Sequence, residues 1–344
     1  MDYCIGVSRG NKEKNAGAKA PDDILNICKE MGMSIFLIPT SIENTNIFQK
    51  IFWKLIVPYI YWFKFYLKVR ANDRVVLQHP LVNNRALNFF IPRIRKKGVK
   101  VITLIHDLTT LRTSGRLETK EIKELAIYDK IICHNESMKR VLLEAGFSEH
   151  KLIVLEIFDY LTDSKPQSKA GDDNTIVIAG NLSPDKCNYI YELAENNPNL
   201  PVNLYGVGLD ESRITDNIVY KGSYSPEALI ENIEGKFGLV WDGNSIDNCT
   251  GNMREYLKYN NPHKTSLFIV SELPIIVWRQ AAIAEFVTKN KIGIAVEDLE
   301  SLDRTLKDVS AEDYQLMLKN IKQLSQELRS GYYTKTAILK AWNN

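Results

Sequence analysis

Residues 100–107 read Lys-Val-Ile-Thr-Leu-Ile-His-Asp, an apolar run without polar alternation that closes on His106 and Asp107. A strand of this kind needs cover on both faces, which is the situation of a parallel sheet packed between helices. The same pattern recurs along the chain. Five more runs lie in the first half, at Tyr3–Val7, Ser34–Pro39, Arg74–His79, Lys130–Asn135 and Lys151–Glu156. Six lie in the second half, at Thr175–Gly180, Pro201–Gly206, Asn217–Gly222, Phe237–Gly243, Pro274–Trp278 and Gly293–Val296. Helix-length gaps separate them. Twelve strands in two sets of six predict an α/β chain with two doubly wound, Rossmann-like parallel-sheet domains.

The boundaries follow from composition. Residues 1–158 form the first domain, and 159–174, rich in Asp, Ser, Lys, Gly and Pro, reads as a linker. Residues 175–330 form the second domain, and 331–344 a helix expected to pack back onto the first. Ser225-Pro226-Glu227 combines an N-cap, a first-turn proline and an acid, so a helix starts there and is expected to end at Gly235. The 344 residues are 44% hydrophobic and 25% charged, ordinary globular values that exclude disorder and coiled coil.

The net charge of +2 hides a split. Asn44–Lys100 carries twelve Lys and Arg against one acid, Asp73, a balance of +11 that leaves −9 for everything else. Five cysteines form no CxxC pair, and their odd number argues against a disulfide framework; a reducing cytoplasm fits them. Cys133 lies within an apolar run, the place of a buried free thiol. The N-terminus lacks the basic and apolar regions of a signal peptide. The longest uncharged apolar run, Leu55–Phe63, is nine residues, too short to span a bilayer.

Ligands of open α/β sheets bind beyond the carboxyl ends of the strands. After the first strand comes a glycine-bearing loop leading to Gly17-Ala18-Lys19, neither GxGxxG nor a Walker motif. His106-Asp107 could supply a general base, or Asp107 could simply cap the next helix. His79 and the His134-Asn135-Glu136 run close neighbouring strands. No HExxH, no Cys/His spacing and no Asp-x-Asp occurs, so no metal site is expected. In the second half Gly180-Asn181 precedes Lys186, Trp241-Asp242-Gly243 ends a strand, and Asn260-Asn261-Pro262-His263-Lys264-Thr265-Ser266 opens an apolar helix. A helix N-terminus with a lysine and hydroxyls suits a diphosphate, although such a turn is also an ordinary capped helix.

Several of these blocks together resemble a GT-B glycosyltransferase. They are Gly222-Ser223-Tyr224-Ser225-Pro226, Tyr256–Ser266, Leu273–Trp278, Ala281–Val287, Gln78-His79-Pro80 and Leu104–Leu108. Within that fold the chain is similar to the bacterial family of serine-rich-adhesin glucosyltransferases and polysaccharide galactofuranosyltransferases. The resemblance implies two domains facing a cleft, and an inverting, metal-independent transfer of galactofuranose or glucose from a UDP-sugar to a glycan hydroxyl. It implies no cofactor besides the donor. Donor-binding residues would be Gly180, Asn181, Lys186, Tyr224, Asp242, Asn260, Lys264 and Ser266. Lys186 stands where an arginine is commoner, and a lysine offers phosphate a point charge in place of a bidentate fork. Asp107, then His106, would be the base, and the loop with Asn15, Gly17 and Lys19 would close over donor or acceptor.

Ile47–Tyr66 holds nine aromatic residues in twenty. Lysine among interfacial aromatics fits an anionic membrane surface, so peripheral contact through 47–68 at the inner face of the cell membrane is one expectation; the others are a homo-oligomer interface and an amphipathic helix pair packed on the first domain. Pro58 is expected to kink any helix there. The acceptor is a glycan, lipid-linked or protein-linked. A nucleic-acid partner is disfavoured, because no HTH, RRM, KH or zinc pattern accompanies the basic segment. An epimerase would require a dinucleotide fingerprint that is missing. A catalytically idle relative serving as a binding partner stays open.

Overall fold

The computed structural model describes residues 1–8, 16–39, 52–53, 55–81, 84–166, 174–249 and 255–343. Its first sheet is built from β1 (Asp2–Ser8), β2 (Ser34–Pro39), β3 (Arg74–His79), β4 (Lys100–Ile105), β5 (Lys130–Cys133) and β6 (Leu152–Val154). The order is β2-β1-β3-β4-β5-β6, with every neighbouring pair parallel. Val101–Ile105 of β4 are all buried, as a strand covered on both faces requires. β3 and β4 pair in register from Arg74↔Lys100 to His79↔Ile105, so their carboxyl ends finish level. Strand order reverses between β1 and β3, and that switch point is where such a sheet opens a crevice.

The second sheet comprises β7 (Ile176–Asn181), β8 (Val202–Val207), β9 (Ile218–Tyr220), β10 (Phe237–Val240), β11 (Ile275–Trp278) and β12 (Gly293–Val296). It too is parallel, in the order β12-β11-β10-β7-β8-β9. The two sheets are therefore not copies. The first reverses after two strands and the second after three, between β7 and β10. Two glycines shape that region. A Cβ on Gly206 would lie 1.8 Å from the Gly180 carbonyl oxygen, and its φ of +145° suits glycine, so the ends of β7 and β8 approach closely. A Cβ on Gly238 would lie 2.3 Å from the Phe268 ring, so the helix His263–Val270 lies directly on β10.

The chain separates into two compact units, Met1–Leu155 with Thr334–Asn344, and Glu156–Tyr333. In the first, the closing helix Tyr332–Asn343 is held by a Lys335–Glu30 ion pair at 2.9 Å and by Arg74 over the Trp342 ring. In the second, the stretch read as the start of a linker is anchored. Asp159 is buried and accepts from the Tyr333 N–H, and the Arg329 guanidinium donates to the Thr162 and Ser164 carbonyls. Residues 167–173 of that stretch lie outside the described residues.

Two local expectations are corrected. Helical residues Phe52, Trp53 and Leu55 give way to a turn at Ile56, and a new helix, Val57–Lys68, starts with Pro58 in its first turn, where no N–H is needed. The helix is therefore interrupted ahead of the proline rather than kinked at it. The helix capped by Ser225, whose hydroxyl accepts from the Ala228 N–H at 3.3 Å, ends at Asn232 rather than Gly235. There the Tyr205 hydroxyl donates to the Asn232 carbonyl and accepts from the Glu234 N–H, taking over the helix's last polar groups. All five cysteines are free and buried, and burial pushes the Cys133 thiol up to about 12. No helix among the described residues is long and apolar enough to cross a membrane.

Candidate active site

In the second unit the switch point gathers residues from three segments. β10 leads into Trp241-Asp242-Gly243, and β7 ends at Gly180-Asn181, followed by the short helix Pro184–Cys187. The helix His263–Val270 starts after Pro262 without a side-chain cap. Because that helix rests on β10, Lys264 in its first turn reaches the strand end. Its ammonium donates to the Trp241 carbonyl and to Asp242 Oδ1, both at 2.8 Å. Burial alone pulls the lysine down, but the Asp242 carboxylate and the nearby Cys187 and Cys249 thiols outweigh this and hold it above its ordinary value. Lys264 is a cation at neutral pH.

Lys186 is exposed and its carbonyl accepts from the Gly243 N–H at 3.2 Å, which places it beside the same strand end. Gly180, at φ +125°, faces open space: a Cβ there would meet nothing within 4 Å. The Asn181 side chain accepts from the Ser183 N–H and so turns the chain away from the strand. Asn260 has a buried side-chain oxygen without a hydrogen-bond partner. The structure thus brings Gly180, Asn181, Lys186, Asp242 and Lys264 together. Tyr224 lies beyond the edge strand β9, two strands from the switch point, with its ring 6.1 Å from that of Tyr205. Ser266 needs correction as a donor-binding residue. It is fully buried, and its hydroxyl donates to the Phe158 carbonyl at 2.7 Å, a bond that ties the helix to the chain entering the unit.

In the first unit the chemistry lies at the ends of β3, β4 and β5. Gln78 donates to the Pro21 carbonyl, which orients its amide so that Oε1 accepts from His106 Nε2 at 2.5 Å. His106 in its neutral form then carries its lone pair on Nδ1. Asp107 accepts from Arg112 Nη1 through Oδ2 at 2.8 Å, while its Oδ1 is buried without a partner. The expected capping role of Asp107 does not arise, because Glu121 takes the N–H groups of Thr109 and Thr110. Burial pushes Glu121 up, yet the His79 ring and those donors outweigh it and hold the carboxyl below its usual range.

Lys19 and Gly17 do not form a covering loop. Both belong to the helix Ala16–Glu30, where Lys19 pairs with Asp23 one turn on at 2.6 Å. Asn15 lies outside the described residues. Gln78, Arg112 and Glu121 had no assigned role in the sequence. Each acts through a contact across at least four intervening residues, which no local motif announces.

His134 is structural. It is buried, its Nε2 donates to the Ile105 carbonyl at 2.9 Å, and burial lowers it to about 4. An unfolded histidine takes up its proton near the ordinary value of 6.5, whereas the folded ring refuses it until about pH 4. Its contribution to stability is therefore complete above pH 6.5 and declines below, by up to about 3 kcal/mol at pH 4. Denaturant titrations at pH 7 and pH 4.5 should show this loss in the wild type and a flatter dependence in His134→Gln. Equal losses in the two proteins would remove His134 as the source.

Comparison with known proteins bears on the family and the fold. Residues 3–157 match the model of the "Glucosyltransferase 3-like, N-terminal domain" and residues 176–341 that of the C-terminal domain. Beta-1,6-galactofuranosyltransferase WbbI of Escherichia coli K12 is 32% identical over 337 residues, covering 94% of either chain. Glucosyltransferase 3 of Streptococcus gordonii is 27% identical over 279 residues, 79% of this chain and 80% of that one. Among solved structures, the lipopolysaccharide outer core galactosyltransferase WaaB in its apo form has a TM-score of 0.64 at 11% identity, covering 100% of this chain and 99% of that one. At such identity the likeness concerns the fold, which is GT-B. With both halves matched by its models, the chain belongs to the glucosyltransferase 3-like family and is a glycosyltransferase.

Proposed function

We propose that the chain transfers a hexosyl group from a UDP-sugar to a hydroxyl of a glycan acceptor in the synthesis of a bacterial surface polysaccharide. The observation that carries this is the Lys264 ammonium held at the switch point of the second sheet by Asp242. Loss of UDP develops negative charge on the diphosphate, and a preorganised cation and helix N-terminus stabilise that charge as it forms. Lys264 exchanges Asp242 for a phosphate oxygen, and exposed Lys186 adds a second positive charge. Asn260, with its buried, unpartnered oxygen, offers an acceptor to a donor hydroxyl or base N–H. With this charge supplied by side chains, and no Asp-x-Asp in the sequence, neither a divalent ion nor a cofactor is required.

The first unit holds the acceptor. Asp107 Oδ1 accepts the proton of the attacking hydroxyl as its oxygen bonds to the anomeric carbon and the bond to UDP breaks. The single displacement inverts that carbon. His106, held through Nε2 by Gln78, is the second candidate for the base. The work takes place in the cytoplasm, where five free thiols are stable.

The extent of the likeness to the galactofuranosyltransferase favours galactofuranose as the transferred sugar. Glucose is the second reading, supported by the 27% identity to glucosyltransferase 3, and with it an O-linked N-acetylglucosamine acceptor on a serine-rich adhesin. A screen of UDP-galactofuranose, UDP-glucose, UDP-galactose and UDP-N-acetylglucosamine, read by thermal shift and UDP release, tests the proposal. UDP-galactofuranose is expected to give the largest response. Failure of UDP and all four sugars to bind overturns it.

A further inference from the structure

The helix Val57–Lys68 has two faces that both carry apolar side chains. Val57, Pro58, Trp62 and Phe65 are buried against the first sheet, where the Phe65 ring meets Tyr3 and Phe36. On the other side Tyr59, Ile60, Phe63 and Leu67 stand in solvent, Phe63 at 51% and Leu67 at 64% exposure. At 100° per residue these four fall within an arc of about 100°, and Lys64 and Lys68 follow along one margin, about 40° and 80° further round. Phe52, Leu55 and Ile56, just before the helix, are exposed as well. The stripe continues onto the next helix, Asn84–Lys96. Exposed Phe89 lies 6.3 Å from the Tyr59 ring, and the Arg93 guanidinium stacks 3.5 Å above Phe89.

We propose that this face docks on a lipid surface rich in anionic headgroups. The apolar stripe would enter the headgroup boundary, as amphipathic helices lying in the interface do, while Lys64, Lys68 and Arg93 stay at phosphate level. Charge complementarity selects this occupant. Lys64, Lys68 and Arg93 border the stripe, and the one acid of residues 44–100, Asp73, is buried and accepts from the Arg70 N–H, so the segment sets no exposed carboxylate of its own beside them; its Arg74 and Arg95 are paired with Asp2 and Asp129. A second copy placed on it by two-fold symmetry would set the same basic margin against itself. The inference stands apart from the transferase chemistry, since it uses none of the residues of the candidate active site.

Flotation of the full chain with phosphatidylcholine vesicles, with and without phosphatidylglycerol, provides the test. Binding is expected only with the anionic lipid and is expected to weaken as salt rises. The double variant Phe63→Glu/Leu67→Glu should lower vesicle affinity by about tenfold or more. Its thermal midpoint and its UDP release with a soluble acceptor should stay at wild-type values, because both side chains are already in water. Lys64→Glu/Lys68→Glu, which leaves the apolar stripe intact, should weaken binding to anionic vesicles in the same direction. Three results would overturn the proposal: no flotation even at low salt, equal binding by wild type and both variants, or a wild-type oligomer that Phe63→Glu/Leu67→Glu dissociates while no vesicle is bound.

Discussion

Lys264→Ala is expected to lower kcat by about 10²- to 10³-fold, the loss typical when a preorganised donor to developing negative charge is removed. UDP affinity should fall with it. A charge-assisted hydrogen bond contributes about 1.5–3 kcal/mol, or roughly 10- to 150-fold in Kd. The lysine also balances Asp242, which is 22% exposed at its side chain and would be left without its partner at the strand end. A lower thermal midpoint should therefore accompany the loss of activity, and a given concentration of UDP should raise that midpoint less than in the wild type. Lys186→Ala should fall well short of these effects, because an exposed point charge acts through water. Isothermal titration with UDP and steady-state kinetics separate the two lysines. Near-wild-type kcat and UDP affinity in Lys264→Ala would take the donor site away from this switch point.

Asp107→Asn is expected to reduce kcat by about 10²- to 10⁴-fold, the range for a positioned general base. Donor KM, UDP affinity and thermal midpoint should stay close to wild type. Asparagine retains an oxygen for Arg112 Nη1 and is nearly the same shape, so the change removes basicity and leaves the fold alone. Arg112→Ala leaves the carboxylate and should cost much less. The discriminating measurement is single-turnover transfer with saturating donor. Full rate in Asp107→Asn would pass the role to His106, whose substitution by Gln would then show the larger loss.

Much of this molecule is legible in its sequence. Twelve short apolar runs were twelve parallel strands, because a run without alternation can be buried only where both faces are covered. The boundaries slipped where side chains act on backbone from afar. The helix after Ser225 stops early because of the Tyr205 hydroxyl, a partner on another strand that no local pattern reveals. Lys19 looked like a loop residue after a glycine, yet Ala-Gly-Ala-Lys-Ala winds into a helix and binds Asp23. Ser266 looked like a phosphate ligand by its place after Lys264. Packing of the helix on β10 instead turns it inward to Phe158.

The sequence by itself determined the class of fold, the two halves, the basic aromatic segment and the blocks that carry the family resemblance. These depend on composition, periodicity and short motifs, all local properties of the chain. Tertiary structure alone decided which strand ends meet. Strand order sets the switch points, and it differs between the sheets although both are built from six similar strands. It placed Lys264 against Asp242, 22 residues away, and Gln78 against His106, 28 residues away. It also decided which face of the helix Val57–Lys68 is left in water. Hydrophobic pattern drives residues toward burial without naming their partners, and charge and hydrogen-bond chemistry act only once the fold has brought those partners within reach.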